Sequence, residues 1–429
     1  MGDQELPAVL VSGFEGPRSV CKDHVADLQK HFNLITMQEF LENKTKFSPK
    51  IQAVYVWAGQ PVIDQELLQT LPSLKIIANG GVGLDHLDLK LIARFGVKVA
   101  NTPKDVSNPT ADMGMALLLA SARRLVERHQ LAHAADMTTM SLNWMGEEVT
   151  GATLGIIGMG TIGYKVAQRA KAFEMKILYH NRNRRNLVEE KAVGATYCEH
   201  LDDLLQKSDF VMLTVSLTPQ TQSMIGKREL GLMKPTAILI NIGRGLLVDQ
   251  DALVEALQTG VIKAAALDVT YPEPLPRDHP LLKLKNVTLT LHIGSATHQS
   301  RRQMMKNMVG SILASFSGLP IPNERLVRNV APVHVLALRA RHTASGSAPC
   351  RFRLHLWTLD SLLSRDYSSR PDFTPRDVCH TPSGTLGALD HARSRPPVAP
   401  PQSSRRSPKF HPRLLTRNPT PHGNPAPEC

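Results

Sequence analysis

The chain has 429 residues, 42% of them hydrophobic, enough to bury a large core and, by length, to form two or three domains. Its net charge of +12 first suggests nucleic acid, but residues 326–429 carry 15 Lys+Arg against 6 Asp+Glu and 15 of the 30 prolines; the rest is nearly neutral, and a nucleic-acid partner is not expected. Five scattered cysteines, none in a C-x-x-C pair, indicate neither a disulfide framework nor a metal site, and no apolar run approaches a membrane span, so a reduced, soluble, cytoplasmic protein is expected.

In chain order, residues 8–11 and 53–57 read as buried strands flanking a helix near 24–32. A helix at 64–71 precedes a strand at 74–78, and 97–100 is one more strand. This alternation predicts a parallel sheet. The strand at 74–78 runs into Asn79-Gly80-Gly81-Val82-Gly83, a glycine-rich loop at a strand carboxyl end, where open α/β sheets bind ligands. Its amides suit a small anion; an ordinary tight turn is the alternative. Residues 110–133 are predicted as one long helix joining this unit to the next. Trp144, in the loop that follows, is expected to cover the core, with an interface as the alternative.

The second unit is organised around TLGIIGMGTIGYKVAQRAKAFEMKILYHNRNRR, residues 153–185. A buried strand at 154–157 runs directly into Gly158-x-Gly160-x-x-Gly163, an amphipathic helix continues over 164–173, and a strand at 176–179 closes a βαβ unit. The first glycine permits a tight turn, the second lets a pyrophosphate approach the backbone, and the third lets helix and strand pack closely; the helix amino terminus stabilises the anion. After the second strand an NAD site usually offers Asp or Glu to the ribose 2′-hydroxyl. This chain has Asn181-Arg182-Asn183-Arg184-Arg185. Three guanidiniums with no carboxylate among them suit a 2′-phosphate, so NADP(H) is expected ahead of NAD(H), with an exposed basic turn as the alternative. Strands at 210–215, 237–242, 264–269 and 287–291, with a helix at 249–257, fill out a doubly wound Rossmann sheet. A helix at 297–316, whose methionine stripe reads as core, is predicted to return to the first unit.

Arg244, Glu273 and His292 each sit just beyond a strand of the second sheet, and the carboxyl ends of parallel strands face one crevice. They are the set needed to reduce a 2-oxo acid. Arg244 forks the carboxylate and polarises the carbonyl, while His292 gives its proton to the carbonyl oxygen as hydride arrives from a nicotinamide. Glu273 orients the imidazole and keeps it an acid near neutral pH. Singly, each has a dull explanation as a structural histidine or a solvated loop arginine; together, behind a dinucleotide fold, they make a case.

The segments GGVGLDHLDL, NTPKDVSNPTADMGMALLLA, GIIGMGTIG, SLTPQTQSMIG, INIGRGLLVDQDALVEAL, ALDVTYPEPLP and HIGSATHQSR resemble the D-isomer-specific 2-hydroxyacid dehydrogenase family over residues 6–324, within it the glyoxylate/hydroxypyruvate reductase branch, which includes 2-ketogluconate reductases. The resemblance implies a homodimer of two-domain subunits with the active site in the interdomain cleft. The flavodoxin-like substrate domain is then 1–108 completed by 297–324, and the NAD(P)-binding domain with its connector helix is 109–296. Substrate is expected on the backbone of Val82 and Gly83 and on Arg244. Cofactor contacts are expected at Thr110, Gly158, Gly160, Thr161, Ile162, Gly163, Arg182, Arg184, Arg185, Ser216, Ile242, Asp268 and Gly294. Formate dehydrogenases of the superfamily carry Gln where Glu273 stands, which argues against that activity. Two departures stand out: Leu291 replaces a common Pro before the histidine, and residues 325–429 match nothing in the family. That Pro/Arg/Ser-rich tail is expected to be disordered, with helical promise only at 352–363, and to be either an isoform extension or translated non-coding sequence. A dinucleotide-sensing, corepressor-like binding protein on the same fold is the alternative function; arginines dispersed among the tail's prolines argue against it.

Overall fold

The computed structural model describes residues 5–16, 18–134 and 145–325; Trp144, the stretch 352–363 and the rest of the Pro-rich segment lie outside the described residues. Five parallel strands, β1 (Ala8–Val11), β2 (Asn33–Thr36), β3 (Ile51–Val56), β4 (Ile76–Asn79) and β5 (Lys98–Ala100), form a sheet in the order β2-β1-β3-β4-β5. Seven more, β6 (Thr153–Ile157), β7 (Lys176–His180), β8 (Ala195–Tyr197), β9 (Phe210–Leu213), β10 (Ile238–Asn241), β11 (Ala264–Leu267) and β12 (Val287–Leu289), form a second parallel sheet in the order β12-β11-β10-β9-β6-β7-β8. The first is the flavodoxin-like order and the second an extended Rossmann order, with the strand order reversing between β6 and β9.

The buried central strands are those whose apolar runs are continuous, because helices cover both faces of a parallel sheet. The pattern passes over β2 and β8, edge strands that are only partly buried and so carry no such run. The single helix predicted over 110–133 is two helices, Ser107–Ala122 and Leu125–Ala132. Between them Arg124 takes a left-handed φ of 51° and forks Glu127 at 2.8 and 2.7 Å. The first helix is buried against β10 and β11, whereas the second buries no residue, so nothing holds the chain straight beyond Ala122.

The helix His298–Phe316 starts on Thr297, whose side chain accepts from the Ser300 amide. Its Met304, Met305, Met308, Val309 and Ile312 enter one core with Val9, Tyr55, Trp57 and Ile76 of the first sheet. Arg325, expected as the first residue of the tail, belongs to the body: its amide donates to Val99 O at 2.8 Å and its Nε to Asn101 Oδ1 at 3.0 Å.

Candidate active site

β4 ends in the buried Asn79, and the glycine-rich loop after it is tied down by side chains on either side. Asn79 Nδ2 donates to Gly83 O (3.1 Å) and its Oδ1 meets His86 Nε2 (2.9 Å). Asn101 Nδ2 donates to Val82 O (2.8 Å), and the Gly81 amide donates to Thr102 Oγ1 (2.8 Å). The loop's carbonyls are thereby engaged, while the Val82 and Gly83 amides donate to no described residue. Free amides at a strand carboxyl end suit a carboxylate.

Across from this loop stands Arg244, just beyond β10. Asn241 shapes its turn, donating to Arg244 O (2.8 Å) and accepting from the Gly243 amide (3.0 Å). The guanidinium reaches over to the first sheet's loop. Its Nε lies 3.1 and 3.3 Å from the two oxygens of Asp85, and its Nη1 donates to Gly243 O at 2.8 Å. A methyl group on Gly83 would coincide with Nη2, so only glycine lets the arginine dock there. Sequence reasoning named Asn79 only as part of the loop and missed Asp85, Asn101 and Asn241; the signal was an Asn ending each of two strands, with glycine one or two residues on.

His292 follows β12 with a left-handed φ of 52°, and its amide donates to Asp268 O at 2.7 Å. For a residue with a side chain this conformation costs about 1–3 kcal/mol and persists only where the surroundings dictate it. Asp268 dictates it. Asp268 is 2% exposed; its Oδ1 accepts from Thr290 Oγ1 (2.7 Å) and the Ile293 amide (2.9 Å), and its Oδ2 accepts from the Gly294 amide (2.9 Å). Asp268, expected as a cofactor contact, folds the histidine loop with these three bonds. Gly294 seats that loop on the connector helix, since a methyl there would come 3.3 Å from Thr110 Cγ2. Leu291 is 81% exposed and packs on nothing, so the absent proline leaves no gap.

His292 Nδ1 lies 2.8 Å from Glu273 Oε2, and the Thr270 amide donates to Oε1 at 3.1 Å. Burial pushes the Glu273 carboxyl up, but the hydrogen bond and charge of His292, the Thr270 amide and Arg244 outweigh it and hold the pKa below its ordinary value. The ionised carboxylate therefore accepts from Nδ1, which leaves Nε2 as the working nitrogen.

At the other end of the crevice the fingerprint behaves as its glycines require. Gly158 takes a φ of 100°, and a methyl on Gly163 would come 2.6 Å from Gly158 O and 2.8 Å from Thr214 Oγ1. Gly160 has nothing nearer than 4.0 Å and starts the helix Thr161–Ala172 with no side chain capping it. The leading amides of Thr161, Ile162 and Gly163 thus stay open to an anion, and the pyrophosphate of a dinucleotide fits. Ser216 is exposed beyond β9, whereas the Ile242 side chain belongs to the core and packs near Gly114.

The premise that no carboxylate attends the three arginines needs correction. Glu190 accepts from both Nε and Nη2 of Arg184 at 2.8 Å, and Glu189 takes Arg185 at 3.1 and 2.5 Å. Both acids come from the first turn of the helix Leu187–Val193, whose cap is Asn186. Arg185 Nη1 also donates to Met159 O at 2.9 Å, clamping the fingerprint loop. Arg182 is exposed and has no hydrogen-bond or ion-pair partner among the described residues. Among those residues no His, Cys, Asp or Glu group could hold a metal ion, and no helix is long and apolar enough to cross a membrane.

The family model for the D-isomer specific 2-hydroxyacid dehydrogenase, NAD binding domain, matches residues 115–294. A glyoxylate reductase of Thermococcus litoralis is 45% identical over 266 residues, covering 61% of this chain and 80% of that protein. A glyoxylate/hydroxypyruvate reductase B of Pectobacterium atrosepticum is 41% identical over 303 residues, 70% of this chain and 93% of that protein. The crystal structure of an NADPH-dependent glyoxylate/hydroxypyruvate reductase from Sinorhizobium meliloti, in complex with NADP and malonate, superposes with a TM-score of 0.64 at 30% identity, covering 74% of this chain and 96% of that one. With two parallel sheets meeting at an Arg–Glu–His crevice and relatives this similar over most of their length, the chain belongs to the D-isomer specific 2-hydroxyacid dehydrogenase family.

Proposed function

We propose that this chain reduces a small 2-oxo acid, namely glyoxylate, hydroxypyruvate or 2-ketogluconate, to the D-2-hydroxy acid, with NADPH as the preferred donor. The observation that carries the reading is the His292–Glu273 pair at 2.8 Å on the same crevice as an Arg244 docked against Gly83. Arg244 Nη2 and the free Val82 and Gly83 amides bind the substrate carboxylate, and the guanidinium polarises the adjacent carbonyl. His292 Nε2 delivers a proton to the carbonyl oxygen, and Glu273, accepting from Nδ1, fixes the ring for that transfer. Gly158, Gly160, Thr161, Ile162 and Gly163 hold the cofactor's pyrophosphate, Thr110, Ser216, Ile242 and Gly294 line its path, and Arg182 takes the 2′-phosphate with Arg184 and Arg185 behind it. When bound, the nicotinamide supplies the hydride. The two named relatives support the reaction class, and the Sinorhizobium relative solved with NADP supports the cofactor. The corepressor-like alternative finds no support in these relatives. A cytoplasmic homodimer is the setting we infer.

Steady-state turnover of the full chain with the three acids, each against NADPH and NADH, tests this. Arg244→Ala and His292→Ala should each lower kcat/KM by about 10³-fold. Arg182→Ala should raise the KM for NADPH about tenfold and leave that for NADH unchanged. Turnover that survives in both active-site variants, or no turnover of any acid, would overturn the reading.

A further inference from the structure

The fourth residue of the helix His298–Phe316 is Arg301, and its surroundings are unlike those of Arg244. Its guanidinium lies over the Trp57 ring, 5.2 Å from the centroid, and makes no hydrogen bond or ion pair with any described residue. The titratable groups that face it are Cys21, Tyr55 and His24; no carboxylate is among them. Burial pulls its pKa down, as expected of a cation withdrawn from water without an anion beside it.

Two more polar groups on the same ring are also orphaned. The Tyr55 hydroxyl is buried with no partner, its ring stacked on Trp57 at 6.1 Å. His24 Nδ1 is likewise buried and unpartnered, its ring edge-on to Trp57 at 6.1 Å, and burial lowers its pKa so that it stays neutral. Buried polar groups without partners are rare and ask for an explanation. Trp57 in turn touches the substrate loop: a methyl on Gly80 would come 2.6 Å from its Cε3. The wall beside Gly80–Gly83 therefore holds donors in excess of acceptors, with the guanidinium stacked so that its N–H edge stays free.

We propose that Arg301, seated on Trp57, is a second recognition point on the first-sheet side of the cleft and binds an acceptor on the distal part of the substrate, a hydroxyl or carboxylate on the carbons beyond the 2-oxo group. The inference rests on the reading of the chain as a 2-oxo acid reductase and narrows its substrates to those with a polar distal end. Arg244 reads what all 2-oxo acids share; Arg301 reads what distinguishes them.

Hydroxypyruvate and 2-oxobutyrate test this, because they have the same number of heavy atoms and differ by a hydroxyl in place of a methyl. The wild-type chain should favour hydroxypyruvate in kcat/KM. In Arg301→Met, which keeps an apolar stem on Trp57, that preference should shrink about tenfold or more, the scale of a lost hydrogen bond to a charged group. Arg301→Lys should restore part of it. Tyr55→Phe removes one oxygen from the same cluster without disturbing the core, and should lower the preference a few-fold even if Arg301→Met fails to fold. A preference unchanged in Arg301→Met, with both rates kept or both reduced in parallel, overturns the inference alone. A wild-type chain that turns over neither acid overturns the underlying function as well.

Discussion

Two glycine loops stand in equivalent places, Gly80–Gly83 after β4 and Gly158–Gly163 after β6, each at the carboxyl end of a parallel strand. They are held in opposite ways. The fingerprint is largely local: its positive φ, the closure of Gly163 on Gly158 O and the uncapped helix lie within about a dozen residues, and only the wall it packs on, Thr214 and Val215 beyond the neighbouring strand, comes from further along the chain. The substrate loop is held from outside, by Asn79, Asn101 and Thr102, and its purpose depends on Arg244, more than 150 residues away. The first loop can be read locally; the second cannot.

Among variants of the two loops the largest effect should therefore come from Gly83→Ala. The added methyl takes the place of Arg244 Nη2 and pushes the guanidinium off the loop. Its other close neighbour is an Asp85 oxygen at the end of a mobile side chain, so the fold should tolerate it. Displacing a substrate-binding group by about 1 Å costs on the order of 100-fold, and kcat/KM should fall by about that much at nearly constant Tm. A variant with wild-type kinetics would mean that Gly83 and Arg244 do not form one site.

The two ends of the fingerprint sharpen the contrast. Gly163→Ala meets a backbone carbonyl at 2.6 Å, which cannot swing away, and should destabilise the chain by about 1–3 kcal/mol with a visible drop in Tm. Gly160→Ala meets no protein atom nearer than 4.0 Å, so Tm should hold, while the Kd for NADPH, measured by fluorescence titration, should rise about tenfold. Equal losses of stability in both would remove the distinction between packing and phosphate approach.

The same division explains what was legible in the sequence. The parallel sheets followed from apolar runs, and the Arg244, Glu273 and His292 constellation from their common place after strands. What stayed hidden were side-chain partnerships, some between distant segments and some set by how a turn folds back on itself. The family resemblance implies Asp268 only as a cofactor contact, and nothing in the local pattern shows that three donors from 290–294 bind its carboxylate. Arg184 and Arg185 looked unopposed because Glu189 and Glu190 lie a helical turn further on, and only the Asn186 cap brings them back. The kink at Arg124 was invisible because nothing in the local pattern marks where burial ends.

Asp85 offers a middle-sized test. It accepts from Arg244 Nε across the two sheets, and both side chains are partly exposed, so solvent screens the charge and orientation is the main effect. Asp85→Ala frees the guanidinium to rotate and should lower kcat about tenfold, with melting behaviour unchanged. Asp85→Asn keeps an acceptor and should recover most of the loss. Failure of Asn to rescue would make the charge, rather than the alignment, the contribution of Asp85.

The smallest effect lies on the cofactor side, where Tyr179 donates to Glu190 Oε1 at 2.6 Å and accepts from the Arg185 amide at 3.0 Å. The Arg184 and Tyr179 hydrogen bonds lower the Glu190 pKa from 4.5 to about 2. Because the folded value lies below the unfolded one, the carboxylate's contribution to stability is fully present above about pH 4.5 and is lost as the pH falls toward 2. Arg184 is half exposed, so the contribution is modest. Glu190→Gln cannot titrate. The gap in Tm between it and the wild type should therefore stay constant from neutral pH down to about 4.5 and close below that; a gap that persists near pH 2 would mean that the glutamate acts there by shape, bracing the arginine turn without its charge.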